Sequence, residues 1–209
     1  MDALLQAPVS ITYALMAACV VVSLIGFLLL RSERHGAHVL FIPSETAKGR
    51  NWLGTLLSHF AHADFGHLAV NMLALYFFGP RVEGALGPWM FLALYAASGL
   101  AGTLVFFLLH RKDRRRSALG ASGCIAGVVF ATVVVAPTTT MVFLFLPFPI
   151  PAPIFALLYL VASSLMMRRG DHVAHEAHIG GAVAGFALAG LLFEPGFAPF
   201  LDAVRQLAS

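Results

Sequence analysis

Three short stretches of this chain carry side chains that do chemistry: His67-x-x-x-Asn71, Gly120-Ala121-Ser122-Gly123 and His175-Glu176-Ala177-His178. A serine hydroxyl becomes a nucleophile when an imidazole takes its proton, and it then attacks a carbonyl carbon. The oxyanion that forms needs N–H donors aimed at it. Ser122 and His178 are read as nucleophile and base. Asn71 supplies an amide N–H, and His67, one helical turn away, a ring N–H. Ser122 adds its own backbone N–H from the first turn of a helix, where such groups are unpaired and the dipole is positive. Gly120 and Gly123 allow close backbone approach by a substrate. This chemistry calls for no metal and no other cofactor. Read alone, Ser122 is a serine bonding back to a carbonyl of its own helix, and His67 and Asn71 are interhelical hydrogen-bonding groups. The elements that carry these residues decide between the readings.

Of the 209 residues, 59% are hydrophobic and 11% charged. A soluble domain averages roughly 45–50% apolar and about 25% charged residues. So small a globule cannot hide that excess. An ordinary soluble enzyme, a disordered chain and a disulfide-stapled module are excluded, and the bilayer is the expected solvent. A membrane helix needs about 20 apolar residues, which leaves room for about six crossings. The net charge of +3 reports loop residues, not nucleic-acid binding. Cys19 and Cys124 sit in apolar runs as small core residues. No basic stretch precedes the first apolar run, so that run is expected to be a retained helix.

Charges punctuate the spans. Ile11 to Leu30 is free of charge, as is everything from Ser117 to Met167. The second stretch is too long for one helix, and Pro137 with Pro147, Pro149, Pro151 and Pro153 locates its break. The spans are 11–30, 65–80 (ended by Gly79-Pro80-Arg81), 88–109, about 118–136, about 152–167 and 175–193. An irregular apolar connection joins the fourth and fifth. Trp52 to Phe60 is a short interfacial segment. The expected fold is all-α: six transmembrane helices in one polytopic domain over 1–209, without a soluble appendage.

Alternating crossings put the loops before spans two, four and six on one face. Asn71, Ser122 and His178 each lie six or seven residues inward of a charge of the preceding loop, Asp64, Arg116 or Asp171. At 1.5 Å per residue that is roughly 10 Å below a common face. Three helices thus deliver an amide, a hydroxyl and an imidazole to one depth. The last span repeats small residues at Ala177, Gly181, Gly185 and Ala189, and the fourth at Gly123, Gly127 and Ala131. Such stripes bring membrane helices near backbone contact, within reach of a Ser122–His178 hydrogen bond. This favours the nucleophile reading.

Phe60-x-His62, His67-x-x-x-Asn71-Met72, Gly120-Ala121-Ser122-Gly123 and Ala177-His178-x-Gly180-Gly181 together resemble the rhomboid intramembrane serine proteases. Gly79-x-x-x-Glu83-x-x-x-Gly87 is similar to the family's segment between helices two and three. The resemblance covers about 51–193, preceded by a first transmembrane helix at about 11–30. It implies a six-helix rhomboid-like bundle that cleaves transmembrane segments of other membrane proteins with a Ser–His dyad. It makes Ser122 the nucleophile, His178 the base, and His67 and Asn71 oxyanion donors. The implied location is a multi-pass protein of a bacterial cell (inner) membrane, and the implied partners are substrate helices and the lipid bilayer. Two positions depart from the family pattern. Ala126 stands where well-studied bacterial members place a tyrosine beneath the histidine, though other members, mitochondrial-type ones included, also lack it. Asn51-Trp52 is the nearest counterpart of a frequent Trp-Arg pair.

Two other classes were weighed. A catalytically inactive rhomboid-like binder typically lacks the serine or the histidine, and this chain keeps both. A metal transporter would use the imidazoles of His59, His62, His67, His172, His175 and His178, but apart from Glu176 at the start of the last span no intramembrane acid accompanies them. Glu176 falls about 200° around the helix from His178 and is not expected to complete a triad. Eleven of the 13 basic residues lie in loops one, three and five, on the face of Ser122. The positive-inside rule puts that face in the cytoplasm, whereas the resemblance to bacterial six-helix members puts it outside.

Overall fold

The structure, a computed structural model, describes residues 10–143, 146–156, 158, 161 and 174–208. The loop Arg168 to Val173, with Asp171 and His172, and most of the fifth span lie outside the described residues. The long helices are α1 (Ile11–Leu29), α5 (Phe65–Leu86), α6 (Pro88–His110), α7 (Ser122–Val135) and α8 (His175–Leu192). Short helices α2 (Glu33–Gly36), α3 (Pro43–Thr46) and α4 (Trp52–Leu57) shape the first loop, and α9 (Ala198–Ala208) follows α8. These long helices coincide with five of the six expected spans, and residues 152–156, where the remaining span begins, are helical. By length and apolarity alone, α1 and α6 are long enough to cross a bilayer, while α7 is apolar but shorter. Helices α5 and α8 carry the polar groups of the site, which lowers their hydropathy.

Helix α7 is the hub. Every residue from Gly123 to Val134 is buried, as befits a helix that is apolar all round. It packs on α5, α6 and α8. Its contact with α8 is backbone on backbone: a Cβ on Gly181 would lie 2.0 Å from the Gly123 carbonyl oxygen, and one on Gly185 2.2 Å from that of Gly127. The two small-residue stripes therefore meet face to face. Helix α6 joins them, since a Cβ on Gly102 would lie 2.4 Å from the Ala177 oxygen.

Helix α1 is fastened to α5 at its start and to the segment preceding α5 further along. The Glu83 carboxylate accepts from the Ser10 and Thr12 hydroxyls at 2.7 and 2.6 Å and from the Ile11 and Thr12 amides at 2.8 and 3.0 Å. An anion from one helix thus satisfies the orphan donors that begin another. Further along α1, the buried Ser23 hydroxyl donates to the Phe60 carbonyl at 3.2 Å and bonds His62 Nδ1 at 2.9 Å.

Two sequence expectations need correction, and one helix was not expected. Gly79-Pro80 does not end the second span: α5 continues to Leu86 with Pro80 inside it. The Arg81 guanidinium donates to the Phe77 carbonyl in the turn that the proline disturbs. The connection after α7 is not irregular but an antiparallel ribbon, β1 (Thr140–Phe143) with β2 (Leu146–Pro151). The Ala152 amide donates to Thr139 O at 3.2 Å, so amides at even positions face β1. Pro149 and Pro151 then fall on the outer edge, where no donor is needed. Finally, α9 is an amphipathic helix beyond the last span. Phe197 and Phe200 pack on Phe186, with ring centroids 5.2 and 5.1 Å away, while Leu201 and Leu207 stay exposed.

Candidate active site

Ser122 is the first residue of α7, and no side chain caps that helix. The N–H groups of its first turn therefore have no intrahelical acceptor. His178 lies in the first turn of α8. The Gly123–Gly181 contact sets the two turns side by side, and His178 Nε2 lies 2.6 Å from Ser122 Oγ. Both residues are half-buried. That is hydrogen-bond distance, the separation a direct proton transfer between hydroxyl and ring nitrogen requires.

The strand of chain leading into Ser122 is clamped. Phe41 and Ala118 exchange two backbone hydrogen bonds of 2.9 Å, and the Gly120 amide donates to Ser58 O at 2.9 Å. Gly120 has φ +134°, which an L side chain rarely adopts. Space forbids a side chain there as well. A Cβ on Gly120 would lie 2.7 Å from His67 Cε1, 3.2 Å from His67 Nε2 and 3.5 Å from Ser122 Oγ. The His67 ring and the serine hydroxyl thus flank the same glycine.

His67 is placed by the start of α5. The Asp64 carboxylate caps that helix by accepting from the His67 amide at 2.8 Å. Its ring meets His62 edge to face, centroids 5.0 Å apart. His62 is fully buried. Burial, with the neighbouring His67 ring, pushes its pKa down to about 4, so it is a neutral spacer between Ser23 and His67. Asn71 is buried one turn further, and its amide donates to His67 O at 3.1 Å. That uses one of its two N–H groups. Asn71 is bonded within its own helix and makes no hydrogen bond to Ser122 or His178 among the described residues.

Of the expected site residues, Ser122 and His178 are in contact, Gly120 lies between the hydroxyl and the His67 ring, Asn71 bonds His67 O, and Gly123 and Gly181 form the helix crossing. A cavity of about 30 Å³ lies beside Ser122, lined in part by Ser58, His59, Thr103 and Gly123. Three features escaped the sequence reading. His59 bonds Thr103 Oγ1 at 2.8 Å and Thr55 O at 2.9 Å, tying α4 to α6 beside the cavity. Glu176 is buried and bonds His110 Nε2 at 3.1 Å, so its carboxylate belongs to α6 and not to a triad. The strap at Phe41 was hidden in a loop read as polar, although Val39-Leu40-Phe41-Ile42 is an apolar run that signals burial. Among the described residues, no three His, Cys, Asp or Glu side chains converge to hold a metal.

Comparison with known proteins places this geometry in context. Residues 49–195 match the family model described as a rhomboid domain. The chain is 33% identical over 156 residues to RHOMBOID-like protein 12, mitochondrial, of Arabidopsis thaliana, covering 66% of this chain and 46% of that protein. It is 33% identical over 153 residues to Presenilin-associated rhomboid-like protein A, mitochondrial, of Danio rerio, covering 70% and 39%. Rhomboid protein 1, mitochondrial, of Saccharomyces cerevisiae is 34% identical over 134 residues, covering 61% and 38%. The chain thus spans less than half the length of these curated relatives.

Proposed function

The chain belongs to the rhomboid family of membrane proteins, and on that premise we propose that it is an intramembrane serine endopeptidase working through a Ser122–His178 dyad. Rhomboid proteins are in general proteases of this type, with some inactive members. The observation that carries the reading for this chain is the 2.6 Å separation of His178 Nε2 and Ser122 Oγ.

In the proposed reaction Ser122 Oγ attacks a peptide carbonyl as His178 takes its proton. The tetrahedral oxyanion is received by the Ser122 N–H, the His67 ring and the second N–H of Asn71. His178 then protonates the leaving amine, and water, activated by the same imidazole, hydrolyses the acyl-enzyme. The substrate is a transmembrane segment of another membrane protein, with helix-breaking residues and a small residue near the cut. The chain forms one polytopic domain of six crossings. At 14 residues, α7 is about 21 Å long, short of the roughly 30 Å hydrocarbon layer. Its polar start therefore sits below the membrane face. The relatives named above are mitochondrial, and they lend no support to the bacterial inner membrane expected from the sequence.

Incubating the purified protein with a serine-reactive fluorophosphonate tests the proposal. Labelling confined to Ser122, with cleavage of a transmembrane reporter lost in Ser122→Ala, is the expected result. Undiminished cleavage by Ser122→Ala would overturn it.

A further inference from the structure

A catalytic imidazole must hold its ring plane as well as its position. The χ2 rotation of histidine is broad and roughly two-fold, so only a neighbour can fix it. The helix beneath His178 does not provide one. Along the α7 face that meets α8 the residues are Gly123 and Gly127, and Ala126 is a buried methyl group. None offers a surface as large as the ring.

The neighbour is in the same helix turn. His175 is the first residue of α8 and is 5% exposed. Side chains of a helix lean toward its N-terminus, so residues three apart stack on one face. The His178 ring accordingly meets the His175 ring edge to face, with centroids 5.7 Å apart and planes at 84°. That separation lies within the range of favourable aromatic pairs.

The turn that carries His175 is itself immobilised. Glu176 is bonded to His110 at the end of α6. The Ala177 carbonyl is wedged between α6 and α7, where a Cβ on Gly102 would approach it to 2.4 Å and one on Gly123 to 3.3 Å. The first turn of α8 therefore cannot rotate without breaking contacts to two helices.

We propose that His175 is a positioning residue for His178: its ring, packed edge to face, restrains the imidazole from turning and helps keep Nε2 on Ser122 Oγ. The inference rests on the dyad reading above. It assigns a physical role to His175 that does not involve touching the substrate. It also means that the orientation of the base is built into four consecutive residues of one helix.

Two volume-filling apolar variants test it, because they separate the flat ring from the mere filling of space. His175→Phe keeps a planar ring and His175→Leu does not. The readouts are the rate of fluorophosphonate labelling at Ser122, kcat and KM for a transmembrane reporter, and the thermal midpoint. His175→Leu is expected to slow labelling and lower kcat by about 10- to 100-fold, the loss typical of a slightly misplaced catalytic group, with KM within about two-fold. His175→Phe is expected to keep both within about three-fold of the parent protein. Equal rates for both variants, whether retained or lost, would overturn the proposal: retained rates mean that no ring is needed, and lost rates mean that the polar atoms of His175 matter instead. Failure of the dyad reading looks different, because then the unmodified protein itself is not labelled at Ser122.

Discussion

The two ends of α5 use similar chemical groups in opposite ways. At its C-terminal end, Glu83 meets the start of α1, and its carboxylate accepts four hydrogen bonds from two hydroxyls and two amides. At its N-terminal end, the His67 ring lies against Gly120 just before α7, where one serine hydroxyl bonds one imidazole. Both places bring polar groups to the first turn of a helix. The Glu83 end fills that turn's donors with a resident anion. In the proposed reaction the Ser122 end keeps its donors for an anion that forms only as the peptide bond is attacked. On that reading a saturated cluster fastens helices, and an incompletely occupied one receives a substrate.

Substitutions at the two ends should therefore fail differently. Ser122→Ala and His178→Ala should each abolish cleavage of a transmembrane reporter while leaving the thermal midpoint within a few degrees, since neither residue holds the helices together. The loss expected is at least 10⁴-fold, by analogy with dyads and triads that act as units (~10⁴–10⁶). Gly120→Ala should come next. Its methyl group would clash with the His67 ring and strain a φ of +134°. Labelling at Ser122 should fall by roughly 10³-fold, the cost of a disrupted oxyanion site. Asn71→Ala should lower kcat by about 10²-fold with little change in KM. Full turnover with lost thermal stability would move Asn71 to the fastening class.

Glu83→Ala reverses the pattern. Leaving four donors without their acceptor should destabilise the fold by about 2 kcal/mol, measured as reduced resistance to denaturant, while the folded fraction cleaves at the normal rate. A large drop in kcat per folded molecule would break the contrast. The smallest effect concerns pH. His62 is held neutral, with a pKa near 4 against an ordinary value of 6.5. The folded state is not penalised above pH 6.5. It loses stability as pH falls from 6.5 toward 4, because the unfolded chain binds the proton first. His62→Asn should flatten that part of the thermal-midpoint profile.

Much of the site was legible because its signals were local. The small-residue stripes and the shared depth of Ser122 and His178 follow from helical spacing, and the structure pairs those stripes directly. Asn71 was legible as a buried polar group, but its hydrogen bond to His67 O depends on a rotamer that spacing does not specify. The ribbon at 140–151 was not legible. Alternating prolines read as helix breakers, and only pairing with β1 reveals that they share an edge. Pro80 misled for a related reason: a proline costs a helix one hydrogen bond, and tertiary packing can outweigh that. Glu176 was correctly set aside from His178 by its angle around the helix. Its partner His110 lies on another element, beyond the reach of periodicity. The amphipathic α9 was not legible because Asp202 and Arg205 interrupt its short apolar pattern.

The contact between α7 and α8 has a consequence for how this site can change. Most neighbouring helices are spaced by side chains, which act like compressible gaskets: a larger or smaller residue shifts the gap and the rest adjusts. Between Gly123 and Gly181 there is no gasket, and peptide groups rest on peptide groups. Ser122 and His178 are gauged against a stop of fixed dimension, insensitive to rotamer noise and to drift in the surrounding apolar residues. The same stop forbids fine adjustment. Any residue larger than glycine at position 181 forces the two helices apart as a whole, so the spacing of Ser122 and His178 cannot be retuned by small steps there.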